Sequence, residues 1–454
     1  MRTRDGIILS QHLHTGLALG PRHRMLLEQV LLGRVFMVNL RQLRRLMPAI
    51  VFVLTVVSGQ AAQAQTFQTI HNFTGGRDGA RPYAGLTMDA RGDLYGTAYS
   101  GGAGYGSVFE LKRAGSGWVF NPLYNFNGGS DGANPQARVV FGPDGLLYGT
   151  TTNGGDLFGT VFNLRPPPTA CVSALCPDTE TVVYAFTGYP ENGENPQYCD
   201  LIFDQAGNIY GTTLNGGTFD CGIAYELTPS GSGRTFTLVY SFGSARGLPP
   251  PDDCSPSDGA VPYSGLILDA AGHLYGTTLQ EGITGYGSVF QLSYVAGTGW
   301  TESPLHIFDN TSGSYPYAGL IFDQSGNLYG ATSHTSFGGG AVFELSPSNG
   351  SWTYNLLYTF TGGPECGPRA SLVMDGAGNL YGTTYCDGAN RLGNVFELSP
   401  SNGGWAYTDL HDFTGGGDGG NPVSNVIFDV SGNLYGTASS GGTLGYGVVW
   451  KITP

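Results

Sequence analysis

The stretch GNLYGTT, from Gly378 to Thr384, decides the fold of this chain because close copies of it recur along all but the first part of the 454-residue sequence. The motif, with its Tyr-Gly pair, occurs seven times, and successive motif tyrosines are 52 to 65 residues apart. A proline precedes the tyrosine by 13 residues in six copies and by 14 in the third. Such fixed spacing indicates a repeat architecture built from one supersecondary unit. The seven tyrosines are Tyr95, Tyr148, Tyr210, Tyr275, Tyr329, Tyr381 and Tyr435.

Each unit has the pattern of four short β-strands. In the sixth unit these are RASLVMD, NLYGTTY, GNVFELSP and GGWAYTDLHDF, which are rich in β-branched and aromatic residues and bounded by Gly or Pro. Between the first two strands, Asp and Gly at the first and fourth positions, as in Asp375 and Gly378, predict a type I turn. The second unit departs from this, with Gly142 in the Asp position and Asp144 nearby.

Seven four-stranded units predict an all-β protein, a seven-bladed β-propeller, because radial repetition protects the sheet edges. The chain enters the repeat at Thr66–Phe73, which has a fourth-strand pattern with no blade before it. It stops after Gly447–Pro454, which has a third-strand pattern with no fourth strand after it. We therefore expect the N-terminal strand to pair with Val448–Ile452 and complete the last blade. A parallel β-helix and an open repeat array are the alternatives.

Residues 1–65 differ from the propeller region 66–454. Basic residues precede a short apolar run from Ala49 to Val57, and Ala62-Gln63-Ala64 follows, which is the layout of a secretory signal peptide cleaved after Ala64. An uncleaved N-terminal anchor is the alternative. Met37 would be a more ordinary start for such a leader, so residues 1–36 need not be translated.

The mature chain is strongly acidic. Eight of the 20 Lys and Arg residues but two of the 34 Asp and Glu residues lie in the leader, which leaves 12 basic and 32 acidic residues. A surface with this balance repels nucleic acid and anionic membranes. We expect a secreted or periplasmic protein, monomeric, with no membrane span after cleavage and no nucleic-acid partner.

The seven cysteines all follow residue 170 and fit an oxidising compartment. Strand directions alternate within a blade, so the loop into the first strand and the loop between the second and third strands share one face. This placement predicts two disulfides, Cys366 with Cys386 and Cys199 with Cys221. Cys171 and Cys176 lie in an inserted loop on the opposite face and are expected to pair locally. Cys254 is left over and could compete with Cys199 for Cys221.

Acidic or amide residues recur in the loops of that shared face. They suggest a cation or polar-ligand site at the mouth of the central channel. The plainer explanation is that Asp-Gly makes the turn, and calcium requires six to eight oxygens whereas each loop offers one carboxylate. No zinc or cofactor motif is present, so we expect no cofactor, with calcium left as a weak alternative. The candidate ligands are Asp78, Asp131, Asn192, Asp258 and Asp418.

Most histidines in the repeat region occupy positions that the repeat pattern explains. His71, His306 and His411 occupy a strand position that is Tyr in other units, so we interpret them as aromatic substitutes. His334 lies in a loop between second and third strands and has no such explanation. A solitary histidine is more often a surface residue than a catalytic one, and no hydrolase, P-loop or zinc-protease motif accompanies it.

The Gly-x-Val-Phe-x-Leu pattern at Gly106–Leu111, Gly159–Leu164, Gly287–Leu292, Gly340–Leu345 and Gly393–Leu398 resembles the bacterial GloVer-containing, or choice-of-anchor, tandem repeat proteins. The resemblance covers residues 66–454 and implies an exported repeat protein, anchored in some members through a C-terminal tail. It supplies no activity and no catalytic residues. The chain ends at Pro454 without a sorting tail, so release is expected rather than anchoring.

Two functions follow as expectations, and a purely structural envelope protein is the third alternative. The first is a non-enzymatic module that binds a protein or glycan through the loops of one face, because the scaffold is regular and carries no catalytic constellation. The alternative is a lyase or hydrolase acting on extracellular polysaccharide, because three units depart from the consensus on one face. Its candidate acids are Glu191, Glu194, Asp252, Asp253 and Glu365.

Overall fold

β-Strands make up the regular structure throughout the described part of the chain, which contains no helix. The computed structural model describes residues 65–454 apart from 156, 167–177, 191, 232, 244–258 and 281–284. Seven antiparallel sheets of four principal strands form a seven-bladed β-propeller within the unit Gln65–Pro454. The predicted fold is confirmed, and the β-helix and open-array alternatives are excluded. The predicted signal peptide and the Met37 start lie outside the described residues.

Each blade runs from a two-residue first strand to a long fourth strand at the opposite edge. The first strands are Thr87–Met88, Val140–Phe141, Ile202–Phe203, Ile267–Leu268, Ile321–Phe322, Val373–Met374 and Ile427–Phe428. The second strands, which carry the Tyr-Gly motif, are Leu94–Ala98, Leu147–Thr151, Ile209–Thr213, Leu274–Gln280, Leu328–Thr332, Leu380–Thr384 and Leu434–Ala438.

The outer two strands of each blade are longer. The third strands are Tyr105–Ala114, Thr160–Arg165, Ile223–Ser230, Ser288–Val295, Ala341–Ser348, Asn394–Ser401 and Val448–Thr453. The fourth strands are Gly117–Asn125, Thr179–Ala185, Gly233–Ser241, Gly299–Ile307, Ser351–Thr359, Gly404–Asp412 and, for blade seven, Thr66–Asn72. Short additional pairings involve Gly101–Gly102, Gly193–Glu194, Asn215–Gly216 and Ala260–Pro262.

The ring closes by pairing the two ends of the repeat region. Strand Thr66–Asn72 is antiparallel to Val448–Thr453, with Thr66 opposite Thr453 and Asn72 opposite Val448. The first strand of the chain is therefore the fourth strand of blade seven, as predicted. The pairing joins residues far apart in sequence, so the ring cannot close until nearly the whole chain is present.

The hydrophobic core lies between neighbouring blades. Tyr95 and Val108 of blade one, for example, share a buried cluster with Val139 and Phe162 of blade two. The motif tyrosines stand at these interfaces. Outside blade one, where Tyr95 donates to Glu110, their hydroxyls reach the turn aspartates of their own blades, as in the 3.2 Å bond from Tyr381 Oη to Asp375. In blade two, Asp144 accepts the hydroxyl of Tyr148 at 2.8 Å and thereby replaces the aspartate missing at Gly142.

The repeat proline packs on the preceding blade in every blade except the sixth. Cδ of Pro422 lies 2.6 Å from where a Cβ on Gly393 of blade six would stand, so the glycine of the Gly-x-Val-Phe pattern provides the room for the ring. The residue before the proline, Asn421, has a φ of 51° and donates its backbone N–H to Leu392 of blade six at 2.6 Å. The residue before the proline has a positive φ in every blade except the sixth, where it is Gly367.

The loops of one face are tied to one another within each blade. The loop into the first strand bridges the loop after the second strand, as between Ala80 and Ser100 in blade one and between Ser314 and His334 in blade five. The two loops that we assigned to one face are therefore adjacent. No helix in the described residues is both long and apolar enough to cross a membrane.

Candidate functional site

The residue that follows the repeat proline points into the mouth of the central channel in every blade except the third, where the next residue takes its place. Six of these seven residues line a cavity of about 270 Å³ on the loop-rich face, together with residues deeper in the channel. We call them the mouth ring. In blade order they are Tyr83, Gln136, Tyr198, Tyr263, Tyr317, Arg369 and Val423. Tyr263 is the member that does not line the cavity, and it joins the ring through its contacts with Tyr198 and Tyr317.

Four tyrosines of the mouth ring contact one another edge to face or stacked. The ring centroids of Tyr83 and Tyr198 are 6.2 Å apart, those of Tyr198 and Tyr263 are 5.0 Å apart, and those of Tyr263 and Tyr317 are 4.9 Å apart. All four are partly exposed. Burial raises the pKa of the Tyr198 and Tyr263 hydroxyls, so both stay protonated at neutral pH. The result is a continuous aromatic surface edged with hydroxyl groups.

A second layer of polar groups lies deeper in the channel. Its side chains belong to residues two positions after a mouth-ring residue. Arg138 Nε is 3.0 Å from Asp200 Oδ2, and the Arg138 backbone N–H donates to the same carboxylate at 2.9 Å. In blade six, the Ser371 hydroxyl accepts the backbone N–H of Gly319 at 3.0 Å. These contacts join blade to blade and satisfy the polar groups among themselves.

Arg369 is the cation of the mouth ring. Its guanidinium carbon lies 3.8 Å from the ring centroid of Tyr385 and 5.3 Å from that of Tyr317. Nη2 donates to the backbone oxygen of Glu365 at 3.2 Å and lies 3.8 Å from the Glu365 carboxylate. The Glu365 side chain is 69% exposed, so water screens this ion pair strongly.

A second cavity adjoins the channel mouth between blades four, five and six. It has a volume of about 630 Å³ and shares Tyr317 with the first cavity. His334 stands in it with its Nε2 4.0 Å from Glu365 Oε1 and its Nδ1 3.0 Å from the Ser333 hydroxyl. Burial lowers the pKa of His334, which favours the neutral ring at pH 7. The other lining residues are Tyr286, Asn310, Ser314, Tyr315, Thr335 and Ser336.

The loop acids predicted as ligands bond within their own loops. Asp78 Oδ2 accepts from the Thr74 backbone N–H at 2.9 Å and lies 3.2 Å from His71 Nε2. Asp418 makes the same contacts with Thr414 and His411.

Asp131 and Asn192, two further candidate ligands, also bond to residues close to them in sequence. Asp131 accepts from the Tyr124 hydroxyl at 3.0 Å, and Asn192 Nδ2 donates to the Tyr184 hydroxyl at 2.5 Å. None of the four described members lines the channel cavity. Asp258 lies outside the described residues, and ligand binding by this set stays a prediction.

The three histidines that occupy the tyrosine position of their units make aromatic contacts. His71, His306 and His411 stack on Phe120, Tyr354 and Phe67, with centroids 4.4, 4.1 and 3.7 Å apart. They therefore pack as aromatic residues at the blade interfaces.

Of the candidate catalytic acids, Glu365 lies beside the second cavity. Glu194 instead accepts the Tyr189 backbone N–H at 2.9 Å. Glu191, Asp252 and Asp253 lie outside the described residues.

The cysteines require one correction. Cys366 and Cys386 form a disulfide, as predicted, and it anchors the loop that carries Glu365 and Arg369. Cys221 is disulfide-bonded but Cys199 is a free buried thiol, so the predicted pairing of these two is wrong. Cys199 Sγ points into the interior, where it donates to the Gln197 backbone oxygen at 3.0 Å. Cys171, Cys176 and Cys254 lie outside the described residues.

Sequence reasoning missed the mouth ring, although the signal was present. The proline spacing identifies the ring position in each unit, and the residue there varies from Tyr to Gln, Arg and Val while its neighbours repeat. A position that varies inside a strict repeat is not required for blade packing. Among the described residues, no group of three or more His, Cys, Asp or Glu side chains is arranged to hold a metal ion.

The comparisons with known proteins agree with the repeat pattern. The model of the Gloeobacter/Verrucomicrobia repeat matches residues 55–175, 170–373 and 262–454. The chain belongs to this family. Membership of the Gloeobacter/Verrucomicrobia repeat family confirms the resemblance seen in the sequence. No curated protein sequence matches the chain.

Solved structures with the same fold are distant in sequence. The extracellular domain of a one-component system from B. thetaiotaomicron has a TM-score of 0.50 and 15% identity, over 85% of this chain and 40% of that one. A PL25 polysaccharide lyase, an ulvan lyase bound to GlcA(1-4)Rha3S, has a TM-score of 0.51 and 10% identity over 85% and 95%. An ancestral GH74 enzyme has a TM-score of 0.49 and 14% identity over 82% and 48%. At these identities the likeness concerns the fold alone.

Proposed function

We propose that this protein is an exported binding module that holds a carbohydrate chain at the mouth of the central channel. The observation that carries the proposal is a row of four contacting tyrosines, Tyr83, Tyr198, Tyr263 and Tyr317. All of them except Tyr263 line a solvent-open cavity. A sugar ring has an apolar C–H face, which packs on an aromatic ring, and a rim of hydroxyls. Tyrosine matches both, because it combines an apolar body with a polar end.

The surroundings of the tyrosine row support a polar, extended ligand. The second cavity continues the first through Tyr317 and adds several hydroxyl and amide groups. A few convergent polar groups in an aromatic-lined cavity are typical of small-molecule and oligosaccharide sites. The Cys366–Cys386 disulfide is compatible with an extracellular or periplasmic location.

Substitution of Tyr263 tests the proposal, since Tyr263 contacts Tyr198 and Tyr317 at the centre of the row. Glycan-array screening followed by calorimetry should show binding by the native protein. Loss of a central aromatic contact in Tyr263→Ala should weaken that binding roughly tenfold or more. Tyr294→Ala is the matched control, because Tyr294 is 64% exposed and lies near the far end of the third strand of blade four, toward the opposite face. Equal binding by both variants would contradict the proposal.

A second candidate function is cleavage of the bound polysaccharide. The observation that favours it is the approach of Glu365, His334 and Arg369 to one another beside the second cavity. A neutral imidazole next to a carboxylate is suited to proton transfer, which is the step that glycan hydrolysis and elimination share.

Incubation of bound polysaccharide with the protein separates the two functions. New reducing ends that form with the native protein and not with His334→Ala would establish cleavage. Retention of ligand binding in the variant would show that its site is intact. Full-length polysaccharide after long incubation would leave the binding module as the function.

A further inference from the structure

Arg369 stands at a position where four other blades have tyrosine. Blade one shows what that position requires structurally: Tyr83 follows the repeat proline and packs on Tyr99 with centroids 5.4 Å apart. In blade six the same two repeat positions are in contact, with the Arg369 guanidinium over the ring of Tyr385, which corresponds to Tyr99. Tyrosine already satisfies the packing at this position in blade one. Packing therefore does not require the positive charge that Arg369 brings to blade six.

The charge of Arg369 is incompletely neutralised. The other arginine of the channel, Arg138, is paired with Asp200 at 3.0 Å through both its side chain and its backbone N–H. Arg369 has its nearest described carboxylate, that of Glu365, at 3.8 Å and largely in solvent. An acidic chain with 34 Asp and Glu residues thus presents a cation, flanked by aromatic faces, at the edge of its binding cavity.

We propose that Arg369 makes the site selective for glycans that contain uronic acids, an inference that rests on the proposed carbohydrate binding. The planar guanidinium matches a carboxylate by two parallel N–H···O bonds. Tyr317 and Tyr263 continue from Arg369 along the ring, so a sugar stacked on them has its edge substituents next to the guanidinium. The C6 carboxylate of a uronate is such a substituent. Glu365 competes weakly for the same cation and yields to a ligand because it is exposed.

The test compares oligosaccharides of glucuronate, galacturonate, mannuronate and guluronate with their carboxyl-reduced counterparts, and adds a sulfated neutral oligosaccharide. Calorimetry on the native chain should show at least one uronate bound about tenfold more tightly than its reduced form. Arg369→Tyr, which reproduces the blade-one arrangement and is therefore expected to fold, should abolish the preference and keep the affinity for the reduced form. Glu365→Gln should raise the affinity for the uronate several-fold more than it changes the affinity for the reduced form.

The outcomes separate this inference from the proposed function. Binding of neutral sugars with no preference for the uronate, or a preference for the sulfated sugar alone, would overturn the uronate assignment and leave carbohydrate binding standing. Equal losses for uronate and reduced forms in Arg369→Tyr would show that Arg369 is only a packing residue. Failure of the native protein to bind any of the sugars would overturn both proposals.

Discussion

Gly382 of the second strand and Phe396 of the third strand of blade six stand so close that a Cβ on the glycine would lie 2.7 Å from Cζ of the phenylalanine. The same relationship recurs in all seven blades, with Tyr225 and Trp450 replacing phenylalanine in the third and seventh. The recurring Tyr-Gly motif is therefore half of a packing pair, and the Gly-x-Val-Phe motif is the other half.

Gly382→Ala is expected to destabilise the propeller because the methyl group collides with a ring that is fully buried. Overpacking of a core costs about 1–3 kcal/mol, which urea unfolding followed by tryptophan fluorescence would detect. Gly376→Ala is the matched control in the same blade, since a Cβ there meets nothing within 4 Å. Equal unfolding midpoints for the two variants would contradict the packing role of Gly382.

Glu180 should make stability depend on pH in an unusual direction. Burial and the neighbouring Asp131 raise the pKa of this carboxyl to about 7, and one of its oxygens is buried without a partner among the described residues. The folded state therefore binds a proton near pH 7 that the unfolded chain binds only near its ordinary pKa of 4.5. The contribution of Glu180 to stability consequently rises as the pH falls from about 7 to about 4.5.

Glu180→Gln removes the buried charge, so the variant should melt above the native protein at pH 8 and close to it at pH 4.5. Thermal melts across that interval measure the difference. Glu365→Gln is the control, because it removes a carboxyl that is 69% exposed. A constant difference between Glu180→Gln and the native protein at every pH would rule out the titration of Glu180.

The Cys366–Cys386 disulfide should stabilise both the fold and the candidate site. It closes a loop across 20 residues, and cross-links of that size contribute about 2–4 kcal/mol. The double variant Cys366→Ser with Cys386→Ser should unfold at lower urea and bind uronate less tightly, because the loop carrying Arg369 loses its anchor. Reduced stability with unchanged affinity would show that the disulfide stabilises the fold and does not support ligand binding.

Cys199 should be unreactive in the native protein. It is fully buried, and burial raises the pKa of its thiol to about 12, so the reactive thiolate is scarce at neutral pH. Alkylation with iodoacetamide followed by mass spectrometry should modify Cys199 in urea and leave it intact without urea. Alkylation of the native protein at Cys199, or its recovery in a disulfide with Cys221, would contradict the structure.

Much of the fold could be read from local patterns. The turn at Asp375 to Gly378 forms as predicted, with the Gly378 N–H donating to the Asp375 backbone oxygen at 3.1 Å. The pairing of Thr66–Asn72 with Val448–Thr453 followed from an unmatched strand at each end of the repeat. Such features were predictable because turn chemistry and strand pattern act over a few residues and the repeat multiplies the signal.

The candidate site was harder to predict because its residues come from different blades. Acidic loop residues such as Asp78 drew attention by their chemistry, yet they bond within their own loops. The mouth ring consists of single residues about 52 to 65 positions apart that meet only when the ring closes. The Cys199 error has the same origin, since sharing a face does not decide which way a thiol points.

The sequence by itself determined the seven-fold repeat, the four strands of each blade and the way the ring closes, because these depend on periodic side-chain patterns and on glycines and prolines at constant spacing. The tertiary structure alone decided that the residue beside the repeat proline faces the channel. It also brought Arg369 between Tyr317 and Tyr385 and left Cys199 as a free buried thiol. Those outcomes depend on distances between blades, which arise only from packing the whole ring.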